Sequence, residues 1–100
     1  MVLEVAQFDV RPGTEDAFVA AYRQVRHAVT SSAGCRSMRM TRGVETPTRF
    51  VALVEWDSVE SHKAFWASER FPQWRGAIGP HFANQPHIEH FTDLDGTGGL

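Results

Sequence analysis

The stretch VALVEWDSVESHKAFWASERF, residues 51–71, changes its period halfway along. Up to Trp56 its large apolar residues alternate, as on a strand with two distinct faces. From Ser58 onward they recur three and four apart, as along one side of a helix. A strand that feeds directly into a helix restricts the chain to mixed architectures. The same junction brings Trp56, His62 and Trp66 together within eleven residues.

The rest of the chain fits around that unit. Residues 2–10 read as a strand with Val2, Glu4, Ala6, Phe8 and Val10 on one face and Leu3, Val5, Gln7 and Asp9 on the other. Pro12-Gly13 makes a turn, Thr14 stands at an N-cap, and Glu15 and Asp16 suit the positive end of a helix. Phe18, Ala21, Tyr22, Val25 and Val29 carry that helix to about Ser31, and Gly34 ends it. Residues 35–44 form a second strand, with Met38 and Met40 on one face, and VETPT connects it to a third strand at 49–56. The second helix runs from Asp57 or Ser58 to about Ser68. Residues 70–86 read as a short helical turn and a long loop, and 87–94 as the fourth strand.

The order strand, helix, strand, strand, helix, strand predicts an α+β fold, the ferredoxin-like βαββαβ plait. It occupies residues 1–94 as one domain, and residues 95–100, DGTGGL, have the composition of a flexible tail. Helices cover one face of such a sheet, yet Leu3, Val5, Val51 and Leu53 make the other face apolar too. An uncovered apolar face of that size calls for a partner, and a second copy packed sheet to sheet satisfies it. A homodimer through the open sheet face is therefore expected.

A net charge of −2 with mixed signs lacks the basic footprint of a nucleic-acid binder. Arg36, Arg39, Arg42 and Arg49 divide between the two faces of one hairpin and form no single patch. A lone cysteine, Cys35, excludes an internal disulfide and suits a reducing cytoplasm. No apolar run has the length of a membrane span, and the N-terminus lacks the pattern of a signal peptide. In HIEH, His87 and His90 point to opposite faces of a strand, so no metal site is expected there.

Toward the helices, the third strand presents Ala52 and Trp56, the first presents Phe8, and the second helix presents His62, Phe65 and Trp66. Phe71, Trp74, His81 and Phe82 follow in a segment suited to a lid. Together these make an aromatic container with few polar groups, the usual form of a small-molecule site. Each has a plainer role as well: Trp56 and Trp66 as core, His62 as a helix-flank side chain bonding a carbonyl, and Cys35 as a small buried residue.

FDVRPGTEDAF, SSAGCRSMRM, FVALVEWDSVESHKAFWASERFPQW and QPHIEHFTD resemble the antibiotic biosynthesis monooxygenase family over residues 2–94. The marks are the Pro-Gly turn, Gly34, and the run Trp56, Ser58, Glu60, His62. The resemblance implies a dimeric α+β barrel. The family mixes cofactor-free quinone-forming monooxygenases, haem degraders, isomerases and members of unassigned role. Against its quinone-forming members, Trp56 matches a pocket tryptophan, His62 stands where a tyrosine can be found, Arg75 matches a pocket arginine across a one-residue gap, and Ala52 replaces an asparagine. Against its haem degraders, the matching positions are Ala6, Phe65 and Arg75, and an arginine cannot be an axial ligand.

Cofactor-free oxygenation needs a proton acceptor, donors that steady an oxyanion, and dry walls. His62 is the expected acceptor, Arg75 the expected phenolate partner, and Trp56, Phe65, Trp66 and Trp74 the stacking surfaces. The expected function is oxidation of a small aromatic hydroquinone or phenol with no cofactor. An isomerase or cyclase using His62 as acid and base, and a non-catalytic dimeric binding or stress-response module, are the alternatives.

Overall fold

The computed structural model describes residues 1–95. Strands β1 (Val2–Asp9), β2 (Cys35–Arg42), β3 (Arg49–Trp56) and β4 (His87–Phe91) form one sheet in the order β2-β3-β1-β4. Every neighbouring pair is antiparallel. Helices α1 (Glu15–Val25), α2 (His27–Thr30), α3 (Val59–Trp66) and α4 (Arg70–Ile78) complete the ferredoxin-like plait.

Register explains the core. Phe8 lies opposite Phe50, Ala6 opposite Ala52, Glu4 opposite Val54, and Val2 opposite Trp56. The inward members of these pairs are buried, apart from the partly covered Val2. Phe18 of α1 packs its ring 4.7 Å from Phe50 and 6.2 Å from Phe8, tying the helix layer to the two central strands. Burying each such ring contributes roughly 1.5–3 kcal/mol. The opposite face carries Leu3, Val5, Val51 and Leu53, all only half-covered.

The period switch at residue 57 is anchored locally. Ser58 caps α3, its Oγ accepting from the Ser61 amide at 3.2 Å. Gly34, at φ +84°, packs against the Ser61 side chain, and its carbonyl accepts from the Asp57 amide at 2.8 Å. A side chain at position 34 would meet both an unfavourable backbone region and Ser61.

Several local expectations change. The first helix is not continuous to Ser31: it divides at Arg26, whose guanidinium bonds the Met38 carbonyl at 3.0 Å and the Tyr22 hydroxyl at 3.3 Å. Thr14 holds the N-cap position, but its hydroxyl donates back to the Arg11 carbonyl. Residues 70–78 are a full helix where a single turn was expected. Pro72 falls in its first turn, where the amide it lacks would have no partner, and Trp74 and Ile78 bury the inner face. Strand β4 stops at Phe91, three residues short of the expected end. The expected tail from residue 95 lies, Asp95 apart, outside the described residues.

Candidate active site

Between the sheet and the helices lies a cavity of about 280 Å³. Phe8, Ala52, Val54 and Trp56 form its floor, His62, Phe65 and Trp66 one wall, and Phe71, Trp74, Arg75 and Ile78 the other. Phe82, Gln85, Pro86 and Ile88 close the side next to β4.

Trp56 is its deepest aromatic residue and is completely buried. Its indole stacks on His62, with ring centroids 5.0 Å apart and 16° between planes. His62 turns inward and is 2% exposed. The helical stripe places Phe65 against Trp56 at 5.9 Å and against Phe71 at 5.8 Å. Trp66, although 40% exposed, covers the outer face of the His62 ring at 4.4 Å. Trp74 is buried edge-on to Tyr22 at 6.2 Å. Arg75 is exposed on the cavity rim, its guanidinium 5.1 Å above the Phe82 ring, which in turn stacks on Phe8.

His81 is the site candidate that goes elsewhere. The 3₁₀ turn Gly79–His81 sends its ring edge-on to Phe18, 6.3 Å away, and it is not among the lining residues.

The polar centre of the cavity is a residue the sequence reading passed over. Glu4 is 6% exposed and lines the cavity. Its Oε1 accepts from Trp56 Nε1–H at 2.9 Å and lies 3.3 Å from His62 Nε2. No described residue bonds its Oε2, yet no polar side-chain atom is both buried and unpartnered. Oε2 therefore opens on the cavity space. Burial pushes the Glu4 carboxyl up to about 7, and the Trp56 donor only partly offsets it. His62 moves the other way, to about 4, through burial and then the neighbouring His90.

His90 was missed as well. It sits opposite Glu4 in the β1–β4 register, and its Nε2 lies 2.8 Å from His62 Nδ1. His62 Nδ1 is thus engaged with His90, while its Nε2 stands 3.3 Å from Glu4 Oε1 without a hydrogen bond between them. His62 and Glu4 both line the cavity. The signal for Glu4 was present in the sequence: one acid among Val2, Ala6, Phe8 and Val10 on an inward strand face. As expected from alternation, His87 points away from His90, and it lies 3.7 Å from Glu89 on the exposed side. Cys35 is half-buried and free, and burial raises its thiol pKa, which disfavours the thiolate.

An acid whose pKa sits at neutrality, next to a neutral imidazole and inside an aromatic chamber, is equipped to remove and return a proton. Among the described residues no helix is long and apolar enough to cross a membrane.

Comparison with known proteins agrees with the fold. The chain is 27% identical over 95 residues to the uncharacterised protein YczJ of Bacillus subtilis (strain 168), covering 94% of this chain and 100% of that one. A Bordetella bronchiseptica crystal structure, provisionally named an antibiotic biosynthesis monooxygenase, is 32% identical, with a TM-score of 0.89 over 93% of this chain and 96% of that one. SnoaB, a cofactor-independent oxygenase from Streptomyces nogalater, shares the fold at 16% identity, with a TM-score of 0.82 over 97% of this chain and 96% of that one. The sequence profile of the family described as antibiotic biosynthesis monooxygenase matches residues 1–77. The chain belongs to the antibiotic biosynthesis monooxygenase family.

Proposed function

We propose that the protein is a cofactor-independent monooxygenase that oxidises a small phenolic or hydroquinone-like aromatic, with Glu4 as its proton acceptor. One observation carries this reading: a buried carboxyl with an unengaged oxygen facing an aromatic cavity. Membership of the family and the cofactor-independent oxygenase sharing the fold support it.

The chemistry asks for little more. A phenolic hydroxyl placed at Glu4 Oε2 gives up its proton, and the resulting phenolate is electron-rich enough to reduce dioxygen itself. A phenol with an open para carbon and one dioxygen then yield a quinone and one water, the substrate supplying all the electrons. The Trp56 indole N–H holds Glu4 in place, and Trp56 and Trp66 offer ring faces for stacking. Arg75 at the rim stabilises the developing negative charge, and the buried aromatic walls keep the intermediate dry.

The active form in this reading is a homodimer joined through Leu3, Val5, Val51 and Leu53, in the reducing cytoplasm that the free Cys35 suits.

A second reading has its own support. Ala52 puts a methyl group on the cavity floor, so the polar equipment there is an acid–base pair with no added donor for oxygen. That suits an isomerase or cyclase working by proton transfer alone. Oxygen uptake with a panel of naphtho- and anthrahydroquinones, run beside anaerobic turnover of the same compounds, separates the two. Uptake above the spontaneous rate with one atom of ¹⁸O₂ found in the product and the other in water supports the oxygenase. Product formation that continues without oxygen overturns it in favour of the second reading.

A further inference from the structure

Arg75 is the sole lysine or arginine among the residues lining the cavity, and no described residue hydrogen-bonds or ion-pairs its guanidinium. Its place is fixed all the same. The stem lies against Gly79, one turn further along, where a side chain would come within 3.5 Å of Arg75 Cδ and Nε. The guanidinium rests 5.1 Å from the centre of the Phe82 ring. Phe82 is itself held, its amide donating to the Gly79 carbonyl at 3.1 Å and its backbone bridging to Val10. A cation–π contact uses none of the five N–H donors of a guanidinium as hydrogen bonds, so they are available to a ligand.

Glu4, the carboxyl of the cavity, stands at the opposite end. Glu4 and Phe8 lie on the inward face of β1, four residues and about 13 Å apart along the strand. Phe82 stacks on Phe8, with ring centroids 5.1 Å apart, so Arg75 marks the Phe8 end. Glu4 marks the Trp56 end through its 2.9 Å hydrogen bond. Apart from His62, Gln85 and the indoles, the rest of the lining is apolar.

We infer that the substrate is a two-ring aromatic carrying a carboxylate at the end opposite its phenolic hydroxyl, and that this carboxylate docks on Arg75. This assignment rests on the reading of Glu4 as the cavity base. Arg75 is then the residue that selects and orients the substrate.

Charge and length both argue for it. A guanidinium presents a planar fork that matches a carboxylate, and such charged hydrogen bonds are roughly twice as strong as neutral ones. A single ring is too short to reach both poles. Two fused rings with the groups at opposite ends, plus a hydrogen bond of about 2.8 Å at each, span a length of that order. A cavity of about 280 Å³ is at the small end of ligand sites, which disfavours a third ring. The carboxylate takes no part in the chemistry; it decides which end of the ring system enters first. The reversed pose would set two carboxyl groups side by side at Glu4, where like charges repel. In the inferred pose the guanidinium charge still acts on the phenolate as it forms.

Isothermal titration calorimetry tests this with 6-hydroxy-2-naphthoate, its neutral carboxamide, and 3-hydroxy-2-naphthoate, whose two groups sit on neighbouring carbons. The wild type should bind the 6-hydroxy acid about tenfold tighter than either of the others. In Arg75→Gln, with the fold intact by circular dichroism, the advantage over the carboxamide should vanish. Arg75→Lys keeps the charge without the fork and should restore only part of it. Equal or reversed affinities in the wild type, no binding of any probe, or an advantage that survives in Arg75→Gln would overturn the inference. The oxygenase reading fails separately. Carboxylate selectivity in binding with no oxygen uptake from any hydroquinone keeps the docking and loses the oxygenase. Oxygen uptake as fast with neutral hydroquinones as with carboxylated ones keeps the oxygenase and loses the docking.

Discussion

Replacing Glu4 by Gln should make a nearly flat pH–stability profile steep. The folded carboxyl titrates near 7 against an ordinary 4.5, so folding destabilises its ionised form increasingly as pH rises from 4.5 through 7. His62 titrates near 4 against an ordinary 6.5, so the fold loses stability as pH falls from 6.5 through 4. Each displacement is about 2.5 pH units, from 7 − 4.5 and 6.5 − 4. At 1.36 kcal/mol per unit that is about 3 kcal/mol apiece, with opposite signs. Both side chains are buried, so solvent screening removes little of it. In the wild type the two slopes cancel between pH 4.5 and 6.5. Glu4→Gln retains the hydrogen-bonding shape and removes one slope. Its stability should therefore rise by about 3 kcal/mol from pH 4 to 6.5. His62→Phe should show the mirror image, falling from pH 4.5 to 7. Asp9, held low by the Arg49 hydrogen bond, adds the same acid limb to all three proteins and drops out of the differences. Urea titrations followed by tryptophan fluorescence at half-unit pH steps measure this. A Glu4→Gln profile parallel to the wild type would refute the reasoning, because Glu4 would then be titrating as it does in the unfolded chain.

Three further outcomes follow from the same geometry. Trp56→Phe removes the Nε1–H donor to Glu4, so the Glu4 midpoint should move further up and stability fall by about 2 kcal/mol, read by carboxyl ¹³C titration and urea denaturation. Gly34→Ala, forced to hold φ near +84° against Ser61, should lose about 1–3 kcal/mol and show a clearly lowered Tm. Leu53→Lys places a charge on the open sheet face, and sedimentation velocity should show a wild-type dimer converted to an 11.2 kDa monomer with its fold intact by circular dichroism.

Where the sequence speaks in periods it is legible. Alternation put Ala52, Val54 and Trp56 on the inward face of β3, and the stripe of His62, Phe65 and Trp66 put α3 over them. Helix α4 was obscured because Pro72 and Gly76 count against a helix interior. Their actual positions, a first turn and an open surface, cost the helix little. The polar centre was harder to see because its members are far apart in sequence. Glu4 and His62 come from different elements, and His90 reaches His62 only because β4 pairs with β1 in the register that sets it beside Glu4. His62 could be read as a base from its residue type alone. That Glu4 joins Trp56 and His62 on the cavity is a property of distances that no spacing rule contains.

Glu4 is proposed above as the proton acceptor of an oxygen-consuming site. The most direct test is the pH dependence of hydroquinone-driven oxygen uptake, as kcat/KM between pH 5 and 9, for the wild type and Glu4→Gln. The wild-type rate should rise as Glu4 loses its proton around pH 7. In Glu4→Gln that limb should be absent and the rate about 10²–10⁴ lower. Equal rates with superimposable profiles would contradict it and move the proton acceptor away from Glu4.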